Sequence, residues 1–150
     1  MRKEKHAVAE VKIVKLDASR LHLLDAVGPD VFDDAIDPAQ SAAFVADPSH
    51  LMVLAIAGDE VVGFASGVIN LHPDKAAVLF LSEIGTIEAL RRKGIATRLA
   101  RALTDEARAQ GCKGVWLATD ADNDAARGLY RALGATETQG VIVYDWDLGP

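Results

Sequence analysis

Residues 78–110 read VLFLSEIGTIEALRRKGIATRLARALTDEARAQ, and this stretch decides the fold. Val78 to Thr86 is a short apolar run bounded by polar residues. It reads as a buried strand, although an apolar run alone leaves a helix open. Glu83 interrupts it. Arg91-Arg92-Lys93-Gly94-Ile95-Ala96 then joins a basic, glycine-containing loop to a helix in which Ile95, Leu99, Ala102, Leu103 and Ala107 recur at helical spacing. Such a loop suits an anion: the first N–H groups of a helix have no partner inside it, and the helix dipole favours negative charge there. Arg91 and Arg92 add charge, Gly94 removes a side chain where backbone must approach a ligand, and Ala96 keeps the next position small. Taken alone, the six residues also fit a solvated basic turn before an ordinary amphipathic helix.

Working outward, Gly111 stops this helix, and Lys113 to Thr119 (KGVWLAT) reads as a strand. A helix between two strands of one sheet implies a right-handed parallel crossover. Asp120 to Asp124 is a polar loop, Ala125 to Leu133 a second helix with Leu129, Tyr130 and Leu133 inward, and Gly134 its end. Val141 to Leu148 alternates and reads as a half-buried closing strand.

Upstream, Leu51 to Ala57 and Val61 to Leu71 flank Gly58-Asp59-Glu60, a hairpin signal with its turn at Gly58-Asp59. Gly63 and Gly67 mark bulges or close approaches. Val8 to Leu16 reads as the first strand, with Asp17 and Ser19 as caps for a helix over Arg20 to Val27. Gly28-Pro29 ends that helix, the aspartate-rich residues 28–37 form a short helix or rim loop, and Pro38 begins a helix over Ala39 to Ala46. The fold class is therefore α+β, with a mixed, mostly antiparallel sheet of six to seven strands and about four helices in one domain spanning residues 1–150.

The 150 residues suit one domain. The only cysteine, Cys112, cannot form an internal disulfide, which fits a reducing compartment. The charged start has no secretory apolar core and no run reaches a membrane span, so a cytoplasmic location is expected. Net charge is −6 with His neutral, which argues against a nucleic-acid partner and fits a cationic small molecule, or acids that serve only solubility. His6, His22, His50 and His72 are scattered without metal-ligand spacing, and no metal is expected. Trp116 and Trp146 read as core residues.

Two spaced motifs, Arg91-x-x-Gly94-x-Ala96 and Asn123-x-x-Ala126-x-x-x-Tyr130-x-x-x-Gly134, resemble those of the GNAT family of acyl-CoA-dependent N-acetyltransferases. The resemblance covers about Leu51 to Leu148. It implies acetyl-CoA as cosubstrate, with its pyrophosphate on Arg91, Arg92, Lys93, Gly94, Ile95, Ala96 and Thr97 and its pantetheine arm along the backbone of Ile84 and Thr86. Asn123 would cap its helix or bond that arm. Glu83 is the candidate base, acting directly or through water, with a strand-end carboxylate satisfied by its neighbours as the alternative. Tyr130 is the candidate acid, with a core tyrosine as the alternative.

The runs PSHLMVLAIAGDEVVGFASG, SEIGTIEALRRKGIATRLARAL and ATDADNDAARGLYRALGA resemble in particular the small aminoglycoside 3-N-acetyltransferases of that family. This implies transfer to a primary amine, the 3-amino group, of an aminoglycoside antibiotic, with resistance as the outcome. Asp33, Asp34, Asp120 and Asp122 would attract the polycation. The chain departs from that pattern in carrying Glu83 where aspartate is usual and Ala135 where many members have an aromatic residue. Transfer to a polyamine, amino acid or peptide N-terminus, or a non-catalytic acyl-CoA sensor, remains open, as does a homodimer.

Overall fold

The structure is a computed structural model and describes residues 10–150. The described residues form two compact units, one ending at Leu117 and the other spanning Ala118–Pro150.

The first unit is built on one sheet. Strands β1 (Lys12–Lys15), β2 (His50–Ala57), β3 (Glu60–Asn70) and β4 (Val78–Thr86) pair antiparallel in sequence order, and β5 (Gly114–Trp116) joins β4 in parallel. The expected first strand is thus shorter at both ends, and its Val8 and Ala9 lie outside the described residues. The turn between β2 and β3 is the expected two-residue Gly58-Asp59, with Gly58 at φ 59°. Both glycines singled out in β3 are close approaches. A Cβ on Gly67 would lie 2.8 Å from the Phe80 carbonyl, and one on Gly63 would lie 2.9 Å from that of Gly85.

Helix α1 (Pro38–Ala46) starts where proline predicts, capped by the Asp37 carboxylate accepting from the Ala39 and Gln40 N–H groups at 2.8 and 3.1 Å. The segment ahead of it, Ala18–Asp25, is a 3-10 helix capped by Asp17. Helix α2 (Ile95–Ala109) crosses between β4 and β5 and turns Ile95, Leu99, Ala100, Leu103 and Ala107 into the core. Each of its large aliphatic side chains contributes about 1.5–3 kcal/mol by burial. Glu106 pairs with Lys15 at 3.2 Å, and Arg98 donates to the Val11 carbonyl at 2.9 Å.

The second unit holds α3 (Asp124–Ala132), closed by Gly134 at φ 85°. Two expectations fail here and at the sheet edge. The strand over Lys113 to Thr119 shrinks to Gly114–Trp116, and Val141 to Leu148 forms no strand, so the sheet has five strands and not six to seven. Alternation is a property of side chains, whereas a strand needs a hydrogen-bonded neighbour, and residues 141–148 have none among the described residues. Neither tryptophan is core. Trp116 is half exposed although its ring lies 4.4 Å from that of Phe80, and Trp146 is exposed. No helix among the described residues is long and apolar enough to cross a membrane, and no group of three His, Cys, Asp or Glu is placed to hold a metal.

Candidate active site

The basic loop leaves the start of α2 open. Gly94 caps α2 at φ 82°, a conformation that glycine adopts without penalty, and no side chain caps the helix. Arg92 also has positive φ, 63°, which turns the loop backbone tightly. Arg91, Arg92 and Lys93 are exposed, and none makes an ion pair with a described residue. The space over Gly94 is open, with no atom within 4 Å of an added Cβ. Ile95 is the buried anchor of the turn, and Ala96 and Thr97 are half-buried beside it. Free N–H groups, free cations and open space together fit a pyrophosphate.

Beside it, β4 has a free edge. Its pairing with β5 ends at Phe80 opposite Trp116, so from Leu81 onward that side has no partner strand among the described residues. The Ile87 N–H turns back to the Val62 carbonyl at 2.9 Å. By the alternation of an extended chain, the N–H groups of Thr86 and Ile84 face the free edge, where an extended amide-bearing chain can add as a strand.

Glu83 stands at a bulge. Ser66 pairs with Glu83 and Gly67 with Leu81, leaving Ser82 as the extra residue of β4. Bulges re-aim side chains, and here Glu83 projects exposed from a strand whose Leu79 and Leu81 are buried. Residues paired across strands share a face, so Glu83 lies on the side of Ser66 and Phe64. That face carries the segment preceding α1. Phe32 stacks on Phe64 with ring centroids 4.3 Å apart, and a Cβ on Gly85 would lie 2.7 Å from the Val31 carbonyl. The segment therefore brings Asp33 beside Glu83. Partial burial first, and the Asp33 charge second, push the Glu83 carboxyl above its ordinary value.

Three residues shape this face, and two of them, Gly85 and Ser66, escaped the sequence reading. Gly85 admits the Val31 backbone, Phe32 docks the segment, and Ser66 is 8% exposed with a hydroxyl that bonds no described residue. A serine in an otherwise apolar strand was the available signal. Asp34 is exposed nearby in sequence, and a cavity of about 410 Å³ is lined by Pro29, Asp30, Ile87, Glu88 and Ala89.

In the second unit, Asn123 caps α3, accepting from the Ala126 N–H at 3.1 Å and donating to Thr119 Oγ1 at 3.3 Å. Tyr130 is half-buried, burial pushes its phenol up, and its hydroxyl bonds no described residue. A phenol so placed stays protonated at neutral pH and can donate. Asp120 and Asp122 are exposed, their carbonyls accepting from Asn123 and Asp124 at 3.0 Å each. A network the sequence reading did not find joins Arg127 and Arg131 to Glu137, with closest contacts of 2.7 and 3.0 Å. The pair holds the Glu137 carboxyl at about 2.

A family model described as the acetyltransferase (GNAT) family matches residues 18–135. The aminoglycoside N(6')-acetyltransferase type 1 of Serratia marcescens is 33% identical over 116 residues, covering 74% of this chain and 80% of that one. The N-alpha-acetyltransferase RimI of Mycobacterium tuberculosis is 35% identical over 125 residues, covering 81% and 74%. Among solved structures, an AAC(6')-Iy in complex with a bisubstrate analogue of CoA and acetylneamine has a TM-score of 0.76 at 22% identity, covering 91% of this chain and 98% of that one. At that identity the likeness speaks for the fold. From the two spaced motifs, the uncapped start of α2 and the match over most of its length, the chain belongs to the GNAT acetyltransferase family and is an acyltransferase with acetyl-CoA as donor.

Proposed function

We propose that the protein transfers the acetyl group of acetyl-CoA to the 6'-amino group of an aminoglycoside, giving antibiotic resistance, and that its two units act as one acetyltransferase domain. The observation that carries this is Glu83, a carboxylate turned out by a bulge beside a free strand edge and facing a second carboxylate, Asp33. A polycation is drawn to such a place. The 6'-amine replaces the 3-amino group expected from sequence because the aminoglycoside-modifying relatives are named N(6')-acetyltransferases.

Arg91 to Thr97 hold the pyrophosphate, Arg91, Arg92 and Lys93 by charge and Gly94, Ile95, Ala96 and Thr97 by backbone. The N–H groups of Ile84 and Thr86 orient the pantetheine amides. Asn123 keeps the start of α3 in place through its cap. Acetyl-CoA supplies the activated thioester. Glu83 removes a proton from the ammonium, which must lose one to become a nucleophile, and its raised pKa makes it a stronger base than an ordinary carboxylate. Tyr130 gives its proton to the departing thiolate, and the Thr86 N–H offers a hydrogen bond to the acetyl oxygen. Asp33 faces the reacting ammonium beside Glu83, and Asp34, Asp120 and Asp122 attract the remaining ammonium groups.

A second reading has one specific support: the relative named an N-alpha-acetyltransferase is as similar as the aminoglycoside enzymes, so a peptide N-terminus is the competing acceptor. Thiol release from acetyl-CoA with kanamycin, sisomicin, spermidine and a short peptide separates the two. Release with kanamycin and acetylation at the 6'-nitrogen by product NMR is the expected result. Release with the peptide alone overturns the aminoglycoside assignment.

A further inference from the structure

Among the described residues Ser66 is the one polar residue in the buried core, 8% exposed, in a run of β3 otherwise made of valine, glycine, alanine and phenylalanine. Burying a hydroxyl without a partner is costly, and its hydroxyl bonds no described residue. Its direction follows from the register. Phe64, two residues earlier, carries the Phe32 ring, so Ser66 points to that same face. Glu83 lies directly opposite on β4, and directly opposed residues have Cβ atoms about 4.5–5.5 Å apart. Asp33 reaches the same place from the segment fixed by Val31 against Gly85. A hydroxyl and two carboxylates thus lie on one face of the sheet.

We propose that Ser66, Glu83 and Asp33 form a three-acceptor seat for the ammonium of the acceptor, and that Ser66 is the residue by which the enzyme distinguishes a primary amine from its N-methyl counterpart. A primary ammonium has three N–H donors, and the seat offers one acceptor to each: the Ser66 hydroxyl and the two carboxylates. N-Methylation removes one donor and puts a methyl group against a buried polar atom, leaving one acceptor unpaired. Sites built to bond a polar hydrogen reject analogues that lack it for this reason. The seat deepens the proposed acetyltransfer and rests on Glu83 facing the acceptor, but it does not require Glu83 to be the base.

The test measures binding by calorimetry without acetyl-CoA, and kcat/KM with it, for two pairs: kanamycin against 6'-N-methylkanamycin, and glycinamide against N-methylglycinamide. Wild-type protein is expected to favour the primary amine of at least one pair by about tenfold to a hundredfold, the worth of one hydrogen bond to a charged group. Ser66→Ala should lower affinity and kcat/KM for that primary amine by a similar factor while leaving the N-methyl partner nearly unchanged. Ser66→Thr, which keeps the hydroxyl, should restore the preference. Equal losses for both members of a pair in Ser66→Ala, or no preference in wild type for either pair, overturn the seat. Turnover that survives Glu83→Gln while the calorimetric preference persists sinks Glu83 as base and leaves the seat standing.

Discussion

The N-termini of α1 and α2 are built in opposite ways. At α1, Asp37 folds its carboxylate over the first turn and accepts from two backbone N–H groups. At α2, Gly94 offers no side chain, three exposed cations precede it without ion pairs to described residues, and nothing lies over the turn. The first end is satisfied by its own sequence, and the second is left open to solvent or a ligand. The difference teaches that a missing cap beside unpaired positive charge leaves a helix start open to an anion, at the expense of local stability.

Filling the open end gives the largest expected effect. Gly94→Val forces a β-branched residue into positive φ and covers the loop. Calorimetry should show acetyl-CoA affinity reduced by about a hundredfold or more, because the ligand contacts backbone there. Unchanged affinity breaks the comparison.

Glu83→Gln should lower kcat by about a hundredfold with acetyl-CoA binding retained, which separates the chemistry from the open helix end. A base acts only when deprotonated, and the Glu83 carboxyl lies above its ordinary value. The acid limb of kcat/KM should therefore fall off above the usual carboxylate range, and Asp33→Asn should move that limb to lower pH. Tyr130→Phe should lower kcat by about a hundredfold at unchanged acetyl-CoA affinity, and equal turnover would remove the acid assignment.

Opening the closed end should have the reverse signature. Asp37→Ala should cost about 1 kcal/mol in denaturant unfolding while KM for acetyl-CoA stays constant. The smallest effect at neutral pH concerns the network that closes the C-terminal side of α3. Glu137 has a folded value of about 2, below its unfolded value of about 4.3, so its contribution is complete above the unfolded value. It is lost as pH falls toward 2. Glu137→Gln should make the acid unfolding curve shallower in that window.

Features written locally were legible in the sequence. The periodicity from Ile95 to Ala107, the proline that opens α1, the Gly58-Asp59 turn and the glycines that end α2 and α3 each act within a turn or two of themselves. The anion loop was legible for the same reason, since a helix end and its flanking charges are consecutive residues. The active-site face was legible only in part. Glu83 was visible as an interruption, but its neighbours Ser66 and Asp33 lie 17 and 50 positions away, and no periodicity reports such a pairing. The closing strand failed in the other direction: Val141 to Leu148 carries the alternation without a ladder partner.

By itself, then, the sequence determined where α1, α2 and α3 lie, where the Gly58-Asp59 turn falls and that the start of α2 is basic and uncapped, because those follow from backbone sterics, capping and charge within a few residues. Only the tertiary structure decided that Ser82 bulges, that Glu83 faces Ser66, and that Gly85 lets Val31 bring Asp33 alongside. Register and close packing between distant segments are set by how whole surfaces fit, and a fit is a property of two surfaces at once.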